Sequence, residues 1–207
     1  MMKNLVRIAI WLLVFVSFLG VTDTRSQTAG DAPELPAIGE RQSPPSVETV
    51  TQQVLSADLN QHVYLPLIYA ADSFTLTDHE QYVADRINEI RAEHGLVPLN
   101  IDAQLTAAAR RHSQDLADHN ATGHTGSDGT NAGNRIYEAG YIWQCWGEII
   151  AYGFGGHDEL AIQWWRNSPL HYNLMISDDY EDIGVGWVYN KDSYYEHYWT
   201  VNFGTAW

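Results

Sequence analysis

Sulfur and positive charge are both scarce in this sequence. Cys145 is its one cysteine, so no intrachain disulfide can form and no cysteine-rich zinc site can be built. Lysine and arginine number 11 against 26 aspartates and glutamates, a formal net charge of −15 over 207 residues. Nucleic acid and anionic membrane surfaces both demand a basic footprint, so neither is expected as a main partner. Aromatic residues are plentiful: 8 Trp, 12 Tyr and 5 Phe supply a core and exclude global disorder. The length predicts one folded domain with a short appendage.

The first residues read as an address. Lys3 and Arg7 precede an apolar run of 14 residues, Ile8 to Val21, broken only by Ser17 and Gly20. That is short of the roughly 18–20 residues of a membrane span and suits the hydrophobic part of a secretory signal. Residues 1–22 are therefore read as a signal peptide or, uncleaved, as an N-terminal anchor. In either case the protein is expected outside the cell, and any membrane contact is through this segment alone. Residues 23–72 read as a linker, because Pro33, Pro36, Pro44 and Pro45 recur among Thr, Ser, Gln and Gly without helical or strand periodicity. Within it, residues 62–70 form a short apolar patch that Pro66 excludes from a central strand.

Residues 73–207 carry the periodic structure. Thr77-Asp78-His79-Glu80 is a capping box, followed by Val83, Ile87 and Ile90 on one helical face and by Gly95 as the stop. Asp102 caps a second helix bearing Leu105, Ala109 and Leu116. A short helix over 134–139 and a longer one over 158–167 follow. The period then changes to two: Ile183, Val185 and Trp187 alternate with glycines, and Tyr195, His197, Trp199, Val201 and Phe203 alternate with polar residues, joined by a turn at 190–193. Helices first and strands last predict an α+β domain with an antiparallel sheet.

The usual enzyme signatures are absent. His79-Glu80-Gln81-Tyr82-Val83 starts like a zinc-protease helix but lacks the second His. Gly126-Ser127-Asp128-Gly129 is one residue short of a nucleophile elbow, and there is no phosphate-binding glycine loop. Three residues stand out instead. His124 sits in a glycine-rich loop after a helix. Glu148 enters an apolar run, where a charge is costly unless paired. His171 follows Pro169 at the start of a new turn. Taken singly, each has a bland reading as a turn, strand-edge or capping residue.

Together their order and surroundings are recognisable. The segments Arg86-Ile87-Asn88-Glu89-Ile90-Arg91, Leu105-Thr106-Ala107-Ala108-Ala109, His124-Thr125, Asp128-Gly129, Arg135-Ile136 and Trp146-Gly147-Glu148 form one series. Trp165-Arg166-Asn167-Ser168-Pro169-Leu170-His171, Ile183-Gly184-Val185-Gly186 and Tyr198-Trp199-Thr200-Val201-Asn202-Phe203-Gly204 complete it. Over about residues 77–204 the chain resembles the CAP superfamily of cysteine-rich secretory, antigen 5 and pathogenesis-related proteins, in its bacterial SCP-like extracellular branch. The resemblance implies a three-layer α-β-α sandwich around a central antiparallel sheet. It also implies a cleft where His124, His171 and Glu148 face one another and hold a divalent cation such as zinc. A second acid is implied at the position of Ser168; Glu159 and Asp128 are the other cleft candidates. A site with one acid fewer should hold an ion more weakly.

Two function classes follow. One is an exported binding or effector module for a lipid, protein or other extracellular ligand. The alternative is a metal-dependent hydrolase with Glu148 as general base. The binder is preferred, because Ser168 replaces the second acid. A rival site, Cys145 with His171 or His197 and Asn202 in papain-like order, lacks the papain glycines and second Cys; Cys145 between aromatics reads as a packed hydrophobe. The aromatic residues read partly as core and partly as a candidate ligand-binding face.

Overall fold

The computed structural model describes residues 37–39 and 74–207. The N-terminal apolar run and the 62–70 patch lie outside the described residues.

Helix α1 (Asp78–Glu93) starts at Thr77. The Thr77 side chain accepts from the Glu80 backbone, and the Glu80 carboxylate accepts from the Thr77 backbone. Two otherwise unpaired amides are thereby satisfied. After β2 (Asn100–Ile101), α2 (Ala103–His119) is capped by Asp102, whose carboxylate accepts from Gln104 and Leu105, and it closes on left-handed Asn120. Then come α3 (Ala132–Glu138), the long strand β3 (Trp143–Tyr152), a one-turn 3-10 segment (Phe154–Gly156), α4 (Asp158–Arg166) and α5 (Pro169–Met175). The hairpin of β4 (Asp182–Tyr189) and β5 (His197–Ala206) ends the chain.

A three-residue strand, β1 (Ala37–Gly39), completes a five-stranded sheet of order β1-β3-β5-β4-β2. β1 lies inside the stretch read as linker, and it pairs Ala37 with Glu148 and Gly39 with Trp146. Three residues are too few to show an alternation, which is why composition hides it. The sheet also differs from the antiparallel expectation at its far edge. β2 runs parallel to β4, pairing Asn100 with Asp182 and Ile101 with Ile183, so the sheet is mixed.

Helices cover both faces. On one face α1, α4 and α5 bring Val83, Ile87, Ile90, Ile162, Trp165 and Met175 onto Ile149, Val185, Trp199, Val201 and Phe203. On the other, α2 and α3 pack Leu105, Ala108, Leu116 and Ile136 against Trp146, Ile150 and Tyr198. α2 rides directly on β4 because Gly184 and Gly186 have no side chain. A Cβ on either would stand 2.2 Å from helix backbone, at Leu105 and Arg110 respectively. The alternating pattern of β5 matches the two faces: Trp199, Val201 and Phe203 enter one layer while Tyr198, Thr200 and Asn202 enter the other. β3 hydrogen-bonds beside it and places Glu148 opposite Asn202.

Candidate functional site

Glu148 lies on the α2–α3 face of β3 and is fully buried. Its pairing is dense. Arg135 of α3, itself 2% exposed, donates from Nη2 to both carboxylate oxygens at 2.9 and 2.8 Å. His124 Nδ1 is 2.9 Å from Oε1, and His112 Nε2 of α2 stands 3.9 Å from the same oxygen. With the Asn202 amide turned so that both its atoms are satisfied, its nitrogen donates to Oε2 at 3.0 Å and its oxygen accepts from the Ala109 amide. Burial pushes the Glu148 carboxyl up, but the His124 hydrogen bond, nearby His112 and the Arg135 guanidinium outweigh it, and the carboxyl is held below its ordinary range. It is an ionised, fully committed carboxylate.

That commitment changes the role of Glu148. A carboxylate can only accept, so His124 donates Nδ1–H to it, which directs Nε2 away from the pair. Arg135 also donates to the carbonyl oxygens of His124 and Thr130, so the same guanidinium fixes the loop that carries the imidazole.

His171, two residues after Pro169 on α5, is buried against the ring of Trp164, with centroids 4.8 Å apart. Ser168 Oγ holds its Nδ1 at 2.8 Å. Burial first, and then the charge of nearby His124, pushes the His171 imidazole down to about 4. It is neutral at physiological pH. The two histidines thus share one arrangement: Nδ1 is pinned from behind, and Nε2 is buried with no hydrogen-bond partner among the described residues.

The remaining sequence candidates go elsewhere. Glu159 lies on the α4 surface, bound to Tyr82 and Arg86 of α1. Asp128 is exposed, paired with Arg111 and Thr130 in its own loop. Ser168 touches His171 but brings no carboxylate. Among the described residues no three His, Cys, Asp or Glu side chains group as a metal site. Arg135 holds both oxygens of the Glu148 carboxylate. Cys145 packs on the opposite sheet face from Asn202, and a cysteine–histidine–asparagine site is not assembled. Trp165, Trp199 and Tyr198 are fully buried core residues, while Tyr194 is 65% exposed.

Sequence reasoning misses Arg135 and His112 as members of the site. The signal available is the lone acid in an apolar run, which has to find a cation; an arginine on the buried side of the short α3 helix is that cation.

The arrangement of an α2 helix lying on glycines, a Trp-Gly-Glu strand and a buried His171 finds its match in known proteins. Residues 84–203 match the CAP family, described as the cysteine-rich secretory protein family. The chain belongs to this family. Relatives include the uncharacterized membrane protein YlbC of Bacillus subtilis, 32% identical over 131 residues, which are 63% of this chain and 36% of that one. The chain thus spans about a third of that curated relative. Among solved structures, an outer surface protein of Borrelia burgdorferi superposes with a TM-score of 0.59 at 25% identity, over 65% of this chain and 97% of that one. An extracellular SCP-domain protein of Bacillus anthracis gives 0.54 at 28% identity, over 64% and 45%. These two CAP relatives are outer-surface and extracellular proteins. No helix among the described residues is long and apolar enough to cross a membrane.

Proposed function

We propose that this CAP domain is an exported binding module whose ligand is held by the Nε2 atoms of His124 and His171. Residues 1–22 serve as its signal or anchor, as the apolar run suggests, and the strong negative charge keeps it from nucleic acid. The observation that carries this reading is the pair of buried imidazole nitrogens that have no partner among the described residues, each on a ring pinned through Nδ1. A divalent cation such as zinc fits the two rings, because neutral imidazole is a good ligand for it. Bound there, the ion would supply a Lewis-acidic centre for an electron-rich group of an extracellular ligand, lipid or protein. Glu148 serves the site by orienting His124, in the manner of a carboxylate behind a ligating histidine.

A hydrolase using Glu148 as base is disfavoured. Its carboxylate is buried, ion-paired and held below its ordinary range, so it is a weak proton acceptor. The test is calorimetric titration of the full chain with zinc and, separately, calcium. His124→Ala and His171→Ala should each abolish most zinc binding, His94→Ala should not, and calcium should bind poorly because the ligand set offers no free carboxylate. Equal effects from all three substitutions would reduce the site to generic histidine affinity.

A further inference from the structure

A second cluster of imidazoles lies toward the other end of β5, on the opposite sheet face. Asp158, the first residue of α4, accepts from Trp199 Nε1 at 2.8 Å and pairs with His79 Nδ1 of α1 at 2.8 Å. The His79 ring stacks on Trp187 of β4 at 3.8 Å. His197, the first residue of β5, continues the ladder: its ring centroid is 5.9 Å from Trp187, 4.8 Å from Tyr189 and 6.0 Å from Trp199. One carboxylate therefore ties α1, α4 and β5 together beneath a stack of rings.

The segment that closes over His197 is under backbone strain. Phe154 has φ +51°, a left-handed conformation costly for an aromatic residue, and Gly153, Gly155 and Gly156 all have positive φ. Gly156 lies so close that a Cβ on it would stand 2.6 Å from the His197 ring. The Gly153 amide donates to the His197 carbonyl at 2.8 Å, the hydrogen bond that joins this loop to β5. Within the pocket His197 Nδ1 is buried and no described group reaches it. The ionisable groups around the ring are Glu196 beside it, His79 from α1, Asp158 from α4, His157 from the loop and Tyr189 from β4. Burial is the main influence on this imidazole, and it favours the neutral form.

We propose that this cluster is an acid-sensitive latch: protonation of His197 releases the Gly153–His157 loop and the first residues of β5 while the rest of the sheet stays paired. A charged His197 has a second N–H with no acceptor, and the neighbouring His79 and His157 imidazoles oppose a charge on it. The strained loop is the element least able to resist, since letting go relieves both its backbone and the buried charge. Opening also withdraws Phe154 from Trp164, the ring that packs on His171. The latch does not depend on what the His124–His171 cleft binds.

Amide hydrogen exchange on the full chain, corrected for intrinsic rates, tests it between pH 7.5 and pH 5. Protection at Gly153, His157 and Trp199 should fall by up to about tenfold per pH unit below the His197 titration, with Val201 and Ile149 unchanged. His197→Phe keeps a ring in the stack and should hold the loop protected at both pH values. An equal pH response in His197→Phe, or no loop-specific loss in the unsubstituted chain, overturns the proposal. An NMR titration of the imidazoles gives the second measurement. Loop opening must share its midpoint with His197, and a midpoint shared instead with His79 or His157 also overturns it.

Discussion

Removing Arg135 should do more damage than removing any other surface or core arginine of this domain, and a second change should undo part of the damage. In Arg135→Met the Glu148 carboxylate keeps its hydrogen bond to His124 but loses the guanidinium contacts at 2.8 and 2.9 Å. At 0% exposure it cannot recover them from water. Breaking a buried pair from one side costs about 3–5 kcal/mol. The carbonyls of His124 and Thr130 also lose their donor, which adds about 1 kcal/mol. Against a typical domain stability of about 5–15 kcal/mol, the single variant is at the edge of unfolding.

Glu148→Gln in the same chain removes the stranded charge and leaves an amide oxygen for His124 Nδ1–H. The double variant should therefore regain about 3 kcal/mol over Arg135→Met alone, though it is not expected to reach the starting protein. Urea unfolding followed by circular dichroism and by tryptophan fluorescence reads this directly, provided the slope with denaturant is unchanged. Additive effects, within about 0.5 kcal/mol, would mean that the pair is not coupled and would refute the assignment of Arg135 as the partner of the Glu148 charge.

Acid should destabilise the fold before its carboxylates titrate. His171, His112 and His197 are all held below their ordinary value by burial, so each contributes stability that is complete above about pH 6.5 and is lost as pH falls through its lowered value. For His171, which reaches about 4, the loss is on the order of 2–3 kcal/mol between pH 6.5 and 4, and His171→Gln should flatten that part of a urea-midpoint profile. A second expectation concerns the helix–strand contact. Gly184→Val should destabilise by several kcal/mol, because its side chain would meet Leu105 and Thr106 backbone at 2.2 Å, while Gly129→Ala, in open space at φ +83°, should cost only about 1–2 kcal/mol of backbone strain. Thermal melts of the two variants compare them.

The elements that can be read from the sequence are those whose signal is local. Thr77 and Glu80 lie three residues apart and announce α1; Asp102 announces α2 in the same way. The Gly184–Gly186 alternation marks β4, since only glycine lets a helix backbone come so close. β3 is not legible as a strand, because Cys145 to Tyr152 is buried on both faces and so shows no alternation. β2 cannot be read at all. Two residues carry no period, and their parallel partner, Asp182–Ile183, is set by packing across the whole domain.

The site is half legible for the same reason. That Glu148 must be paired follows from one lone acid in an apolar run, and the structure supplies the pair. Which group supplies it depends on α3 lying across β3, a tertiary fact. Identifying Arg135 as the partner then reverses the chemistry of the cleft. With the Glu148 charge spent on a guanidinium and a serine standing at the position where the resemblance implies a second acid, both groups that touch the histidines do so from behind, at Nδ1. The atoms that remain are the two Nε2 nitrogens, which have no hydrogen-bond partner among the described residues. Such a pair offers lone pairs without negative charge. A cation held there, as we propose, would be a nitrogen-preferring one rather than calcium or magnesium, whose dehydration needs charged oxygens. On that proposal Ser168 is the counterpart of Glu148, one hydroxyl at His171 Nδ1 for one carboxylate at His124 Nδ1.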